Sequence, residues 1–157
     1  MKDLVRILEG LSCEKVKTYI QSGNAVFRAR ENQIKKIAEK LSSKILVCHG
    51  FNPKVLLLGV TELEEAIKNN PFKTVEGKSL HFFFLESAPV KPNLEELTNV
   101  KSNSEEFKLY KKIFYLYAPD GVGRSKLAAK VEKVLGVPVT ARNWNTVRKL
   151  IEMVKQV

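Results

Sequence analysis

Two short segments contain the residue types and spacings best suited to binding an anion, and the first is "DGVGRSK", residues 120–126. Its two glycines let the backbone approach a ligand closely. A helix is predicted to follow, and its first N–H groups and positive dipole end attract negative charge. The alternative is a strand-to-helix turn capped by serine or aspartate. The candidate residues are Gly121, Gly123, Arg124, Ser125 and Lys126.

The second segment is "TARNWNT", residues 140–146, which includes the single tryptophan. Its asparagines and threonines suit helix N-capping, and the indole ring suits packing between a strand and a helix. An arginine beside a helix N-terminus is electrostatically unfavourable unless an anion or carboxylate lies there. Capping and ligand binding therefore both remain open. The candidate residues are Thr140, Arg142, Asn143, Trp144 and Asn145.

A third polar segment, "YIQSGN", combines turn residues with a glutamine that a turn does not need. Glycine and asparagine tolerate positive φ, which predicts a hairpin turn here. The polar side chains either shape that turn or contribute to a binding site. The candidates are Gln21, Ser22 and Asn24.

Composition restricts the partners more than it restricts the fold. The net charge is +10, which favours an anionic small molecule or nucleic acid, although lysines that only coat solvent-facing helices would give the same value. No apolar run approaches the ~18 residues of a membrane span, and charges interrupt the N-terminal apolar residues. We therefore expect a cytoplasmic protein that does not enter membranes. Cys13 and Cys48 lack CxxC spacing and are expected to be unpaired thiols.

Catalytic and metal-binding patterns are not found in the sequence. The phosphate-binding pattern GxxxxGK[ST] is absent, as are GxSxG and the HExxH ligand spacing. His49 and His81 lie in different predicted elements, and hydrogen-bonded structural roles are expected for both. We expect no metal and no cofactor, and the lack of a matched acid–base pair argues against an enzyme.

Hydrophobic periodicity in the first half predicts helices and strands in the order helix, strand, strand, helix, strand. The first helix covers residues 3–11, and the strands at 15–20 and 24–29 form a hairpin. Asn32 is the expected N-cap of the next helix. The run "KVLLLGV" is expected to be a buried strand, and Thr61 is expected to cap a helix over "ELEEAIKNN".

The second half reads strand, helix, strand, strand, helix, strand. The strands are "KSLHFFFLE", "EEFKLYKK", "KIFYLYAP" and "VPVTAR", and the second helix ends at Gly136. This is the split βαβ order of a ferredoxin-like unit, and the first half has the same order without its first strand. We predict an α+β protein of two tandem ferredoxin-like subdomains with antiparallel sheets, residues 1–76 and 77–157, with a C-terminal helix.

The predicted topology brings the two anion-binding segments together. In a split βαβ unit, the start of a helix and the end of the strand that follows it usually lie at the same end of the unit. "DGVGRSK" and "TARN" occupy these two positions. We therefore expect them to line one basic pocket that contains Arg124, Lys126 and Arg142.

Four segments also resemble the DUF1697 family (domain of unknown function 1697): "VKTYIQSGNAVF", "ELEEAIKNNPF", "PDGVGRSKL" and "LGVPVTARNWNTVRKLIEM". The resemblance implies tandem ferredoxin-like subdomains and no known activity. Members of that family usually have an apolar strand and a Gly-rich loop before the first helix, where this sequence begins. Because that strand is central in such a sheet, we expect either a longer native N-terminus or a first half with exposed strand edges.

The leading functional hypothesis is a binding module for an anionic ligand: a nucleotide, a phosphate compound or nucleic acid. One alternative is an enzyme acting on a small phosphorylated or carboxylated substrate through the same two segments. Another is a protein-interaction scaffold that uses sheet edges or lysine-rich faces. The fold does not choose among these, and the oligomeric state stays open.

Overall fold

A computed structural model describes residues 1–73 and 76–157, which contain six α-helices and six β-strands. The helices are α1 Lys2–Gly10, α2 Ile34–His49, α3 Val60–Lys68, α4 Leu94–Val100, α5 Lys126–Leu135 and α6 Trp144–Val154. The strands are β1 Glu14–Tyr19, β2 Asn24–Arg28, β3 Leu80–Leu85, β4 Glu106–Tyr110, β5 Ile113–Tyr117 and β6 Val139–Asn143. Among the described helices, none is long and apolar enough to span a bilayer.

The chain forms two compact units. Unit 1 comprises Met1–Leu63 and Lys149–Val157, and unit 2 comprises Glu64–Arg148. Unit 1 has the predicted hairpin, in which β1 and β2 pair antiparallel as a two-stranded sheet. Apolar side chains of α1 and α2 meet those of the hairpin in a small core. Its buried members are Leu8, Cys13, Ile37 and Leu41.

Three local predictions for the first half are wrong. The run "KVLLLGV" is not a strand, since neither β1 nor β2 offers it a hydrogen-bonded partner, although Val55 and Leu57 pack against the core of unit 1. Asn32 lies inside a 3₁₀ turn that precedes α2 and does not cap it. Thr61 lies inside α3, where the carboxylate of Glu62 instead accepts the backbone N–H of Gly59.

Unit 2 contains a four-stranded antiparallel sheet in the order β4-β5-β3-β6. The connections β3-α4-β4 and β5-α5-β6 follow the predicted split βαβ order, because β5 lies between β3 and β4. Every residue of β3 is buried, as expected for a central strand covered on both faces.

Side chains of β3 alternate between two apolar layers. Phe83 and Leu85 join a core formed with α4 and α5. Phe82 faces the other way and stacks on Trp144 with 5.4 Å between ring centroids. Tyr115 packs edge-on against Phe82, and its hydroxyl donates to the carbonyl of Ala66 at 2.6 Å. Apolar and aromatic side chains therefore cover both faces of this sheet at β3.

Helix α5 has the predicted boundaries because both of its ends are capped. The hydroxyl of Ser125 accepts the backbone N–H of Ala128 at 2.9 Å. Gly136 ends the helix at φ 69°, a left-handed conformation that favours glycine. The buried stripe of α5, formed by Leu127, Val131 and Leu135, holds the helix against the face of the sheet that contains Phe83.

Candidate functional site

One end of the four-stranded sheet gathers the two segments expected to bind an anion. Leu80, at the start of β3, pairs with Tyr117 at the end of β5. The next residue, His81, pairs with Asn143 at the end of β6. The ends of β5 and β6 therefore flank the start of β3, about 10 Å apart for two interstrand spacings. Helix α5 begins after β5 at this same end, as the topology predicted.

The start of α5 offers backbone donors and two cationic side chains. Because Ala128 and Ala129 donate to the Ser125 hydroxyl and carbonyl, two N–H groups of the first turn are already used. The N–H groups of Lys126 and Leu127 have no acceptor among the described residues, as expected for the first positions of a helix. The side chains of Arg124 and Lys126 are exposed beside them. Together these groups provide a positive potential.

His81 is the functional candidate that the sequence argument underestimated. It is only 9% exposed, and its Nδ1 is buried without a hydrogen-bond partner among the described residues. Burial lowers the pKa of this imidazole from its ordinary value, so the ring is neutral at pH 7. The expectation of a hydrogen-bonded structural histidine is wrong for Nδ1. The signal in the sequence was one polar residue within the apolar run "LHFFFL".

His81 and Asn143 lie on the face of the sheet that α5 covers. Side chains alternate along a strand, so His81 shares a face with Phe83, a member of the α5 core. Asn143 is the register partner of His81 and has the same orientation. Its amide oxygen accepts the N–H of Thr146 at 2.9 Å, which confirms the predicted N-capping of α6.

Arg142 has the opposite orientation. It pairs with Phe82, so its side chain lies on the face away from α5, as does that of Thr140. The guanidinium donates to the carbonyl of Ala141 at 2.7 Å, and burial lowers its pKa. The structure thus brings Arg124 and Lys126 together at the start of α5 but does not place the side chain of Arg142 on their face.

The remaining candidates of "TARNWNT" have structural roles. Trp144 packs on Phe82, as expected for an indole between a strand and a helix. Asn145 occupies the space beside Gly77, where a Cβ would collide with its side-chain amide. A side chain at position 77 would therefore force the Asn145 side chain to move.

The third segment, "YIQSGN", belongs to unit 1 and forms the β1–β2 turn. Asn24 is buried, and its amide nitrogen donates to the Ser22 hydroxyl at 2.8 Å and to the Tyr19 carbonyl at 3.4 Å. These contacts favour the turn-forming role for Ser22 and Asn24. Gln21 is exposed at the tip of the turn.

An open cleft of about 450 Å³ lies elsewhere in unit 2, between Pro71–Phe72, the end of α4 and strand β4. None of the predicted site residues lines it. Its Lys101 donates to the carbonyl of Glu105 at 3.1 Å, and the Glu105 carboxylate accepts the N–H of Ser102 at 2.9 Å. Because these polar groups already satisfy one another, the cleft is a weaker candidate than the start of α5.

Replacing each of the two glycines before α5 by alanine is expected to affect stability to different extents. Gly121 has φ 101°, so Gly121→Ala is expected to lower the free energy of unfolding by more than about 1 kcal/mol. Gly123 does not have a positive φ, and a Cβ there meets nothing within 4 Å. Gly123→Ala is expected to change stability by less than about 0.5 kcal/mol. Urea unfolding of both variants tests the pair, and equal losses would contradict it.

Comparison with known proteins identifies a sequence family and a similar fold. Residues 1–115 match the family described as "Protein of unknown function (DUF1697)". No curated protein gives a significant match. A solved structure, "The structure of conserved bacterial protein SP0830 from Streptococcus pneumoniae", is 23% identical with a TM-score of 0.65, over 99% of this chain and 88% of that chain. At this identity the likeness concerns the fold alone.

Proposed function

We propose that this chain, which belongs to the DUF1697 family of proteins of unknown function, is a binding module for a small anionic ligand. The ligand is a phosphate or carboxylate compound, and it binds where α5 begins. The proposal depends mainly on three features that lie at one end of the sheet. They are the free N–H groups of Lys126 and Leu127, the exposed cationic side chains of Arg124 and Lys126, and the buried His81.

The backbone supplies the primary anion contacts. The N–H groups of Lys126 and Leu127 lie at the positive end of the α5 dipole, where an oxyanion is stabilised. Arg124 and Lys126 add charge-assisted hydrogen bonds, and Arg124 offers the bidentate geometry that fits phosphate or carboxylate. Gly123 leaves open space next to the backbone, so a ligand is able to approach it closely.

His81 is expected to couple the binding of the anion to the protonation of its imidazole ring. Its neutral imidazole lies on the α5 side of the sheet, at the end where the anion binds. A bound anion favours the protonated ring, because opposite charges stabilise each other in a partly desolvated setting. Binding is therefore expected to raise the pKa of His81 and to strengthen as the pH falls below neutral.

Nuclear magnetic resonance with inorganic pyrophosphate and with citrate tests the proposal. One or both anions should shift the backbone amides of Lys126 and Leu127, and the pKa of His81 should rise when the anion binds. The double variant Arg124→Gln/Lys126→Gln should weaken the affinity by at least about tenfold, since two charge-assisted contacts are lost.

The matched control is Lys133→Gln/Lys155→Gln, which removes the same charge at two exposed positions away from the site. It should retain the wild-type affinity. Equal weakening in both double variants would mean that the anions respond only to net charge. Amide shifts spread evenly over the surface lysines would also overturn the proposal.

A further inference from the structure

Helix α2 in unit 1 presents a row of three lysines to solvent. Lys36, Lys40 and Lys44 follow one another at intervals of four residues, and all three are exposed. Residues spaced by four lie on one side of a helix, so the row extends about 12 Å along the axis at 1.5 Å per residue. We call Lys36, Lys40 and Lys44 the lysine row.

The lysine row forms no ion pairs within 4 Å in the described part of the chain. Glu39 lies three residues after Lys36 and forms no such pair either. Like charges at i and i+4 destabilise a helix by roughly 0.2–0.5 kcal/mol for each pair. An anionic partner would relieve this repulsion.

A neighbouring side of α2 packs in the core of unit 1. Ile37 and Leu41 are 2% and 6% exposed in the cluster that also contains Leu8. An interfacial membrane helix needs a free apolar face beneath its cations. The most buried apolar residues of α2 pack in the core, whereas Leu46 and Val47 near its end are 46% and 86% exposed. The lysine row itself is exposed and available to a polyanion.

We propose that the lysine row binds the phosphate backbone of nucleic acid without reading its bases. Three regularly spaced charges of one sign fit a linear polymer of evenly spaced phosphates. Lysine is a flexible point charge that contacts phosphates of any sequence. A protein interface is instead organised around aromatic or arginine anchors, and the positions beside the row, Ser43 and Val47, supply neither. This surface belongs to unit 1, whereas the start of α5 belongs to unit 2.

The test is fluorescence anisotropy of the full chain with a labelled DNA duplex of about 20 base pairs over a range of salt concentrations. Lys36→Gln/Lys40→Gln/Lys44→Gln removes the charges and keeps good helix-forming residues. If each lysine contacts one phosphate, the slope of log affinity against log salt should decrease in magnitude by about 2.7. A duplex of the same length and different sequence should bind equally well.

The matched control, Lys91→Gln/Lys133→Gln/Lys155→Gln, removes the same charge at dispersed exposed positions. It should change the salt slope by much less than the lysine-row variant. Equal slopes in the two triple variants would overturn the proposal, and so would the absence of binding by the wild type at about 50 mM salt. Loss of binding to anionic vesicles, with no effect on DNA, would assign the row to a membrane instead. Circular dichroism checks that both variants are folded.

Discussion

Phe82→Ala is expected to lower the free energy of unfolding by about 3–5 kcal/mol. Phe82 is fully buried at the centre of the four-stranded sheet. Its ring packs against Tyr115 at 5.0 Å and Trp144 at 5.4 Å between centroids. Removing it leaves a cavity between two aromatic side chains that are held by other contacts, so the surroundings relax only partly.

Urea unfolding followed by Trp144 fluorescence and by far-ultraviolet circular dichroism measures this loss. The fluorescence reports on unit 2, because the chain has a single tryptophan. Phe51→Ala is the matched control, since Phe51 is 57% exposed and its loss should change stability by less than about 0.5 kcal/mol. A loss below about 1 kcal/mol for Phe82→Ala would show that this layer is not the packed core that the ring contacts indicate.

Unit 2 is expected to lose stability between about pH 10 and about pH 12 through Tyr115. Burial, with a smaller contribution from Tyr110, raises the pKa of Tyr115 to about 12. In the unfolded chain a tyrosine titrates near 10. The folded state therefore binds the proton more tightly, and its advantage is complete below pH 10 and disappears as the pH rises to about 12. The full effect is about 2–3 kcal/mol, with roughly half of it lost by about pH 11.

Comparison of the wild type with Tyr115→Phe isolates this contribution from other alkaline titrations. Near pH 9 the variant should be less stable by about 1–3 kcal/mol, because the carbonyl of Ala66 loses its hydroxyl donor at 2.6 Å. By about pH 11 the difference between the two proteins should shrink by about 1.3 kcal/mol. A difference that stays constant between these pH values would contradict the assignment.

The elements of unit 2 were predictable because their local signals agree with their tertiary environment. The largely apolar run "LHFFFL" became the central strand, and α5 lies between its serine cap and its C-terminal glycine. The run "KVLLLGV" has equally strong strand propensity but no hydrogen-bonded neighbour. Propensity describes a residue's preference, whereas a strand also needs a pairing partner that the local sequence does not reveal.

The location of the two segments at one end of the sheet was predictable, but the orientation of their side chains was not. Topology alone placed "DGVGRSK" and "TARN" at one end of the sheet, and the register agrees. Arg142 and Asn143 are adjacent in β6, so they lie on opposite faces, and only the location of α5 decides which of them faces the helix. The missing partner of His81 Nδ1 was similarly invisible, because hydrogen bonding depends on the arrangement of several elements.

The division of the chain into units has a consequence for its biosynthesis. Unit 2 is one continuous segment, whereas unit 1 combines Met1–Leu63 with Lys149–Val157. A ribosome delivers the chain from its N-terminus, so all of unit 2 is translated before the last segment of unit 1 exists. The two parts of unit 1 can therefore pack together only after the whole of unit 2 has been made.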